Sequence, residues 1–362
     1  MNNDCLIYEP TKDDSTAAKG MAILAMVFLH LYCRLFSFPY TPLLMIGDTP
    51  LIYYFGLFGD ICVPVYCFIS GYAQYLLIEK EAGTYSRKSC KRLGKLWLNF
   101  AVIVVVFSVA GLIAGSKYVP GSFLAFVLNL TLISTSYNGA WWFLLTYFFL
   151  VLLSPLFFRM IRSSGKTGCI LILLASGIVY FISYLFRFVI IPDVSSMLLS
   201  WLIRQVLLIG TSQFAFLVGA VFYKYRLISR LKIFLDKKHL LVPVCIAAPA
   251  ALFLLHCFVQ SVIIAPINGI VTIVCFYIFP LPEPVKAFFR FFGVHSTNIW
   301  LTHMFFYMAP FPDLVFRGTY PLTALVLMLS LCLITSFVIQ YILLLPGKMS
   351  SLIFRREKQN EG

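Results

Sequence analysis

The feature that constrains this chain most is a succession of long apolar runs joined by short basic segments. Roughly 20 mainly apolar residues cross the hydrocarbon core of a bilayer as a helix. Ten runs of about that length can be marked, at 17–36, 58–78, 96–115, 141–158, 168–191, 201–223, 240–260, 266–281, 293–312 and 321–345. Of the 362 residues 61% are apolar and only 12% charged, against about 25% charged in soluble domains. That is too little polar surface for a soluble fold of this length. The expectation is therefore an all-α, polytopic integral membrane protein of about ten transmembrane helices, embedded in membrane lipids. The eighth run is short, and 123–135, apolar over only about 13 residues, reads as interfacial or re-entrant and not as a span.

Lys and Arg number 28 against 14 Asp and Glu, a formal charge of +14. In a soluble protein that surplus would suggest nucleic acid, but here the cations cluster between apolar runs, and no nucleic-acid partner is expected. Ten spans put both termini on one side, and 23 of the 28 basic residues then fall in the loops of that side. Arg34, Lys117, Arg187, Arg204 and Arg317 are the exceptions. Cytoplasmic loops carry the excess of Lys and Arg, so both termini are expected to be cytoplasmic. Counting 123–135 as a span would destroy the asymmetry. The chain accordingly divides into an N-terminal tail at 1–16, a membrane domain at 17–345 and a C-terminal tail at 346–362. The tail carries Asp4, Glu9, Asp13 and Asp14 and lacks the pattern of a cleavable signal peptide, so the first run should remain as an anchor. The ten cysteines show no CxxC or Cys/His spacing, which reads as packing and gives no metal site.

Ionisable groups inside lipid are costly and mark functional sites by default. His30 lies in KGMAILAMVFLH, eleven residues after Lys19. Eleven residues are about three helical turns, so both side chains share a face about 16 Å apart along the axis. A ligand with an anionic head near the cytoplasmic surface and a reactive end deeper in would fit; so would a core histidine and a boundary lysine. Arg92 and Lys95, three apart at the entrance to the third span, can clamp a phosphate or serve membrane topology. Asp60, in GLFGD, reads first as an N-cap of the second helix. Ser70 and Gly71 interrupt that helix with small residues that let two helices approach closely. Arg204 can snorkel to the surface. Trp141 and Trp142 fit an aromatic belt or a binding wall. His303, in NIWLTHMFF, fits core packing or function equally, and His239, His256 and His295 read as structural. There is no Walker loop, GxSxG elbow or HExxH motif.

Taken in order, KGMAILAMVFLH, GDICVPVYCFISGY, KRLGKL, WWFLLTYFFLVLLSPLF, FAFLVGAVFYKYRLI and HSTNIWLTHMFF resemble the acyltransferase-3 family of multi-span bacterial membrane O-acyltransferases over nearly the whole chain. The resemblance implies a multi-pass enzyme of the bacterial cytoplasmic (inner) membrane. It would move an acyl group, usually acetyl, from cytoplasmic acyl-CoA to a hydroxyl of a cell-envelope or exported polysaccharide. Acetyl-CoA is then a co-substrate, with no permanently bound cofactor. The family's basic residue and histidine fall on Lys19 and His30, where many members have Arg for Lys, and its RxxR motif falls on Arg92 and Lys95. Its SGF/SGY element corresponds to Ser70, Gly71 and Tyr72, its WFL element to Trp142, Phe143 and Leu144, and its late YLxH element to Trp300, Leu301 and His303. Trp300 replaces the usual tyrosine, so no hydroxyl-dependent role is assigned there. The resemblance makes His30 the catalytic residue, as general base or through an acyl-histidine. Lys19, Arg92 and Lys95 would bind acyl-CoA, with Ser70, Gly71, Trp142 and His303 around the pocket. Some members carry an extracytoplasmic domain that completes transfer; here the chain would act directly or with a separate extracytoplasmic transferase or polysaccharide-assembly proteins. The competing class is a secondary transporter or lipid-linked sugar flippase, which more often shows repeat symmetry and midplane carboxylates.

Overall fold

The computed structural model describes residues 8–33, 39–191 and 194–360, with side chains described as far as residue 345. Arg34, Asp4 and the cations of the C-terminal tail lie outside the described residues or side chains. In chain order the helices are α1 Lys12–Tyr32, α2 Leu51–Phe58, α3 Cys62–Glu81, α4 Tyr85–Ile113, α5 Phe123–Leu130, α6 Trp142–Ser163 and α7 Lys166–Phe188. They continue with α8 Met197–Lys224, α9 Leu227–Lys237, α10 Leu241–Phe258, α11 Ala265–Ile278, α12 Glu283–Tyr307, α13 Asp313–Phe316 and α14 Pro321–Asn360. One hairpin, Met45–Ile46 paired antiparallel with Thr49–Pro50, precedes α2.

This is an all-α, polytopic membrane fold. Among the described residues eight segments are long and apolar enough to cross a bilayer, and they correspond to eight of the ten marked runs. The eighth run forms α11, only 14 residues long, or about 21 Å at 1.5 Å per residue. The ninth belongs to α12, which begins ten residues earlier than expected and includes Glu283, Lys286 and Arg290 in its first turns. The 123–135 segment contains α5, eight residues long and too short to span. The second span differs more. Leu51–Glu81 runs as one segment, α2 joining α3 through a 3₁₀ turn at Gly59–Ile61. Asp60 lies inside that turn and does not cap α3, whose N-cap is Ile61, in helical conformation and without a side-chain cap bond. A charge can sit there because His256 faces it.

Contacts divide the chain into two units, Met1–Arg92 with Trp142–Ser296, and Leu93–Trp141 with Thr297–Gly362. In the first, α3 and α8 meet at backbone contact. A Cβ at Gly71 would stand 1.8 Å from the Phe216 carbonyl oxygen, and one at Gly219 2.1 Å from that of Phe68. The α7 helix shows the polarity expected in lipid. Its buried positions include Ser176 and Ser183, whereas Ile170, Leu171, Leu174, Ile178 and Ile182 face outward. Inside, the Ser176 hydroxyl donates to Gln213 Oε1 at 2.6 Å, and Gln213 Nε2 donates to the Ser176 carbonyl at 2.8 Å. Such bonds tie helices together where apolar burial supplies no driving force. In the second unit Phe107 stacks on Phe305, centroids 4.1 Å apart. Asn298 ties α12 to Ser336 of α14 at 3.0 Å and accepts from Asn99 Nδ2 at 2.7 Å.

Candidate active site

The α1 helix begins with a capping box. Thr11 Oγ1 accepts from the Asp14 N–H, and the Asp14 carboxylate takes the Thr11 N–H. The helix is thereby in register well before Lys19. Lys19 is half buried, its carbonyl accepts from the Tyr66 hydroxyl at 3.2 Å, and no carboxylate among the described residues is at ion-pair distance from its ammonium. Three turns on, His30 is also half buried, with Nδ1 3.0 Å from the Met26 carbonyl oxygen. A carbonyl only accepts, so Nδ1 carries the hydrogen and the basic lone pair of the neutral ring is on Nε2. The helix therefore displays a cation and a basic nitrogen on one face.

A polar row that sequence reasoning missed runs between α3, α4 and α6. Ser70 and Gln74, one turn apart on α3, are approached by the Tyr147 hydroxyl of α6. The Tyr85 hydroxyl of α4 donates to Gln74 Oε1 at 3.0 Å and meets Ser154 Oγ at 2.5 Å. Arg92, two turns after Tyr85, lies within electrostatic reach of both tyrosines. Ser70 thus belongs to a hydrogen-bonded network. Its neighbour Gly71 is the point where α3 touches α8. Arg92 and Lys95 lie three apart on α4, both exposed.

The described cavity of the first unit measures about 150 Å³ and lies among α1, α3, α6, α7, α8 and α11. Leu29, the residue before His30, lines it together with Asp60, Trp142, Arg187, Thr211 and Ser212; the His30 ring is outside the lining. Trp142 is thus part of a cavity wall. The Arg187 guanidinium stands 5.0 Å from the Trp142 ring centroid, and its Nη1 donates to Thr211 Oγ1 at 3.2 Å. Asp60 Oδ2 is 3.1 Å from His256 Nε2, with both side chains almost fully buried. His256, read from sequence as structural, supplies the charge partner for Asp60.

In the second unit His303 is fully buried. Its Nδ1 lies 2.7 Å from the Trp300 carbonyl oxygen, and its ring stacks at 5.9 Å on Tyr307. Trp300 donates its indole N–H to the Ala140 carbonyl, and Trp141 donates to that of Leu301, both at 3.0 Å. Trp141 is completely buried, which removes it from any aromatic belt. The late element is therefore stapled to the residues just before α6. Among the described residues no cluster of His, Cys, Asp or Glu is arranged to hold a metal ion.

Compared with known proteins, residues 14–341 match the family model described as an acyltransferase domain (Acyl_transf_3). No curated protein and no solved structure matches the chain.

Proposed function

This chain belongs to the acyltransferase-3 family, whose model covers residues 14–341, and from that premise we propose that it is an O-acyltransferase taking acetyl from cytoplasmic acetyl-CoA. The acceptor is a hydroxyl of a carbohydrate destined for the cell envelope or for export, and the site of action is the bacterial inner membrane. The observation that carries the reading is the α1 face, where a half-buried cation and a histidine with its lone pair on Nε2 lie eleven residues apart. Acyl-CoA has a phosphorylated nucleotide at one end and a thioester at the end of a long neutral arm. Lys19 and Arg92 serve the phosphates; Arg offers a planar fork and Lys a point charge.

In the reaction, His30 Nε2 takes the proton of the acceptor hydroxyl as that oxygen bonds to the acyl carbon. The carbon–sulfur bond breaks, and the thiolate leaves as CoA thiol with the proton from the imidazolium. Imidazole suits the task because its ordinary pKa is close to working pH. Trp142 lines the cavity beside Leu29, and Ser70 and Gly71 lie on α3 of the same unit.

The test is His30→Ala in purified membranes, with protein level, acetyl-CoA binding and acetyl transfer measured together. Transfer should fall by at least 100-fold, the span usual for a lost general base, with donor binding within about twofold. Retained transfer at normal protein level removes His30 from the chemistry.

A further inference from the structure

We propose that the cavity beside Leu29 binds an anionic group of the acyl acceptor, a carboxylate or phosphate, through Arg187. The inference rests on the acyl-transfer reading above and specifies its acceptor.

Charge bookkeeping inside the cavity is the starting point. Two side chains that can carry full charge line it, Asp60 and Arg187. Asp60 has its counter-ion in His256 at 3.1 Å. Arg187 has a hydroxyl, Thr211, and two aromatic faces, Trp142 at 5.0 Å and Phe188 at 4.7 Å. Among the described residues no carboxylate is within ion-pair distance of it. A guanidinium has five N–H donors in a fork matched to carboxylate and phosphate, and the Thr211 bond uses one of them.

Snorkelling does not account for this geometry. Arg187 is in the last turn of α7, where a free arginine extends toward water and headgroups. Here the guanidinium is turned onto the first residue of α6 and anchored to α8. Asp60 and Ser212 line the same cavity, and their Oδ1 and Oγ atoms are buried with no hydrogen-bond partner among the described residues. An oxyanion bound by Arg187 would neutralise the cation. At about 150 Å³ the cavity is smaller than the roughly 300–1,000 Å³ of sites that enclose a whole ligand. It admits one acidic end group of a larger acceptor.

The full chain in phosphatidylcholine nanodiscs is titrated with methyl β-glucuronide and with methyl β-glucoside, following the tryptophan emission that Trp142→Phe removes. Glucuronide should bind at least tenfold tighter than glucoside; Arg187→Gln should bring the ratio close to one, and Arg187→Lys should keep part of it. Equal binding of the two glycosides by the wild-type chain overturns the anion site alone. Binding of neither overturns the carbohydrate acceptor as well. A preference that survives Arg187→Gln removes Arg187 from it. A signal that follows phosphatidylglycerol content of the nanodisc and ignores glucuronide assigns the cavity to a lipid headgroup and also overturns the proposal.

Discussion

Asp60 and His256 allow the energetics of the membrane interior to be measured directly. His256 Nδ1 is 3.0 Å from the Val259 carbonyl oxygen, so Nδ1 bears hydrogen. A neutral ring would then turn its Nε2 lone pair toward Asp60 Oδ2 at 3.1 Å, acceptor against acceptor. Asp60 and His256 are thus one buried pair, favourable when the imidazole is protonated and the carboxylate is not. With side-chain exposures of 1% and 4%, neither partner recovers hydration when the other is lost. Breaking a buried pair by removing one member costs about 3–5 kcal/mol, whereas exchanging both for apolar groups of similar volume is close to neutral. Asp60→Leu and His256→Leu should each raise the unfolding constant more than a hundredfold, since about 1.4 kcal/mol is a factor of ten. The double variant should lie within about tenfold of the wild type. Reversible SDS unfolding in mixed micelles, followed by tryptophan emission, gives all three values and their coupling. Single variants that each cost under about 1 kcal/mol and add to the double would refute the buried-pair argument.

Two further perturbations address the donor end and the helix packing. Lys19→Gln removes a half-buried cation, so the KM for acetyl-CoA should rise about 10- to 100-fold, the usual worth of a hydrogen bond to a charged group, while Lys19→Arg retains most of the affinity; an unchanged KM would take Lys19 out of donor binding. Gly71→Ala puts a methyl 1.8 Å from the Phe216 carbonyl oxygen, and overpacking of that kind costs about 1–3 kcal/mol; the same SDS titration checks it, and unaltered stability would mean that α3 and α8 are not in backbone contact.

The helices were legible because the bilayer fixes their length. Eight of the ten apolar runs reappear as spanning segments, and the 13-residue segment excluded on length holds only the eight-residue α5. Errors came where a local pattern was asked about a distant partner. Asp60 reads as a helix start because it precedes the apolar run ICVPVYCFISGY, which puts the expected second span at 58–78 where the segment in fact starts at Leu51. Its partner His256 is remote in sequence and lies in the last turn of α10, and no periodicity announces that they meet. The ninth run differs in where its helix starts. Glu283, Lys286 and Arg290 read as loop charges, yet they occupy successive turns of α12, where Lys286 reaches Asp14 at 2.5 Å and Arg290 reaches Glu283 at 3.3 Å. Charges that pair with one another do not terminate a helix.

For the site, spacing alone placed Lys19 and His30 on one face, since that is helix arithmetic. The row of Ser70, Gln74, Tyr85 and Tyr147 was present as polar residues one or two turns apart in apolar helices. Ser70 stands out in the sequence, whereas Gln74, Tyr85 and Tyr147 are uncharged and unremarkable by themselves. Arg187 carried a stronger signal. It is one of five basic residues that break the charge asymmetry of the loops, and a cation on the wrong side of such a distribution needs a local cause. For Arg204, exposed on α8, solvent or headgroups suffice. Arg187 instead lies against Trp142 and Thr211 at a cavity wall, the placement on which the proposed anion site rests. Exceptions to a topology rule thus point to side chains held by local contacts, as the Thr211 bond and the Trp142 face hold Arg187.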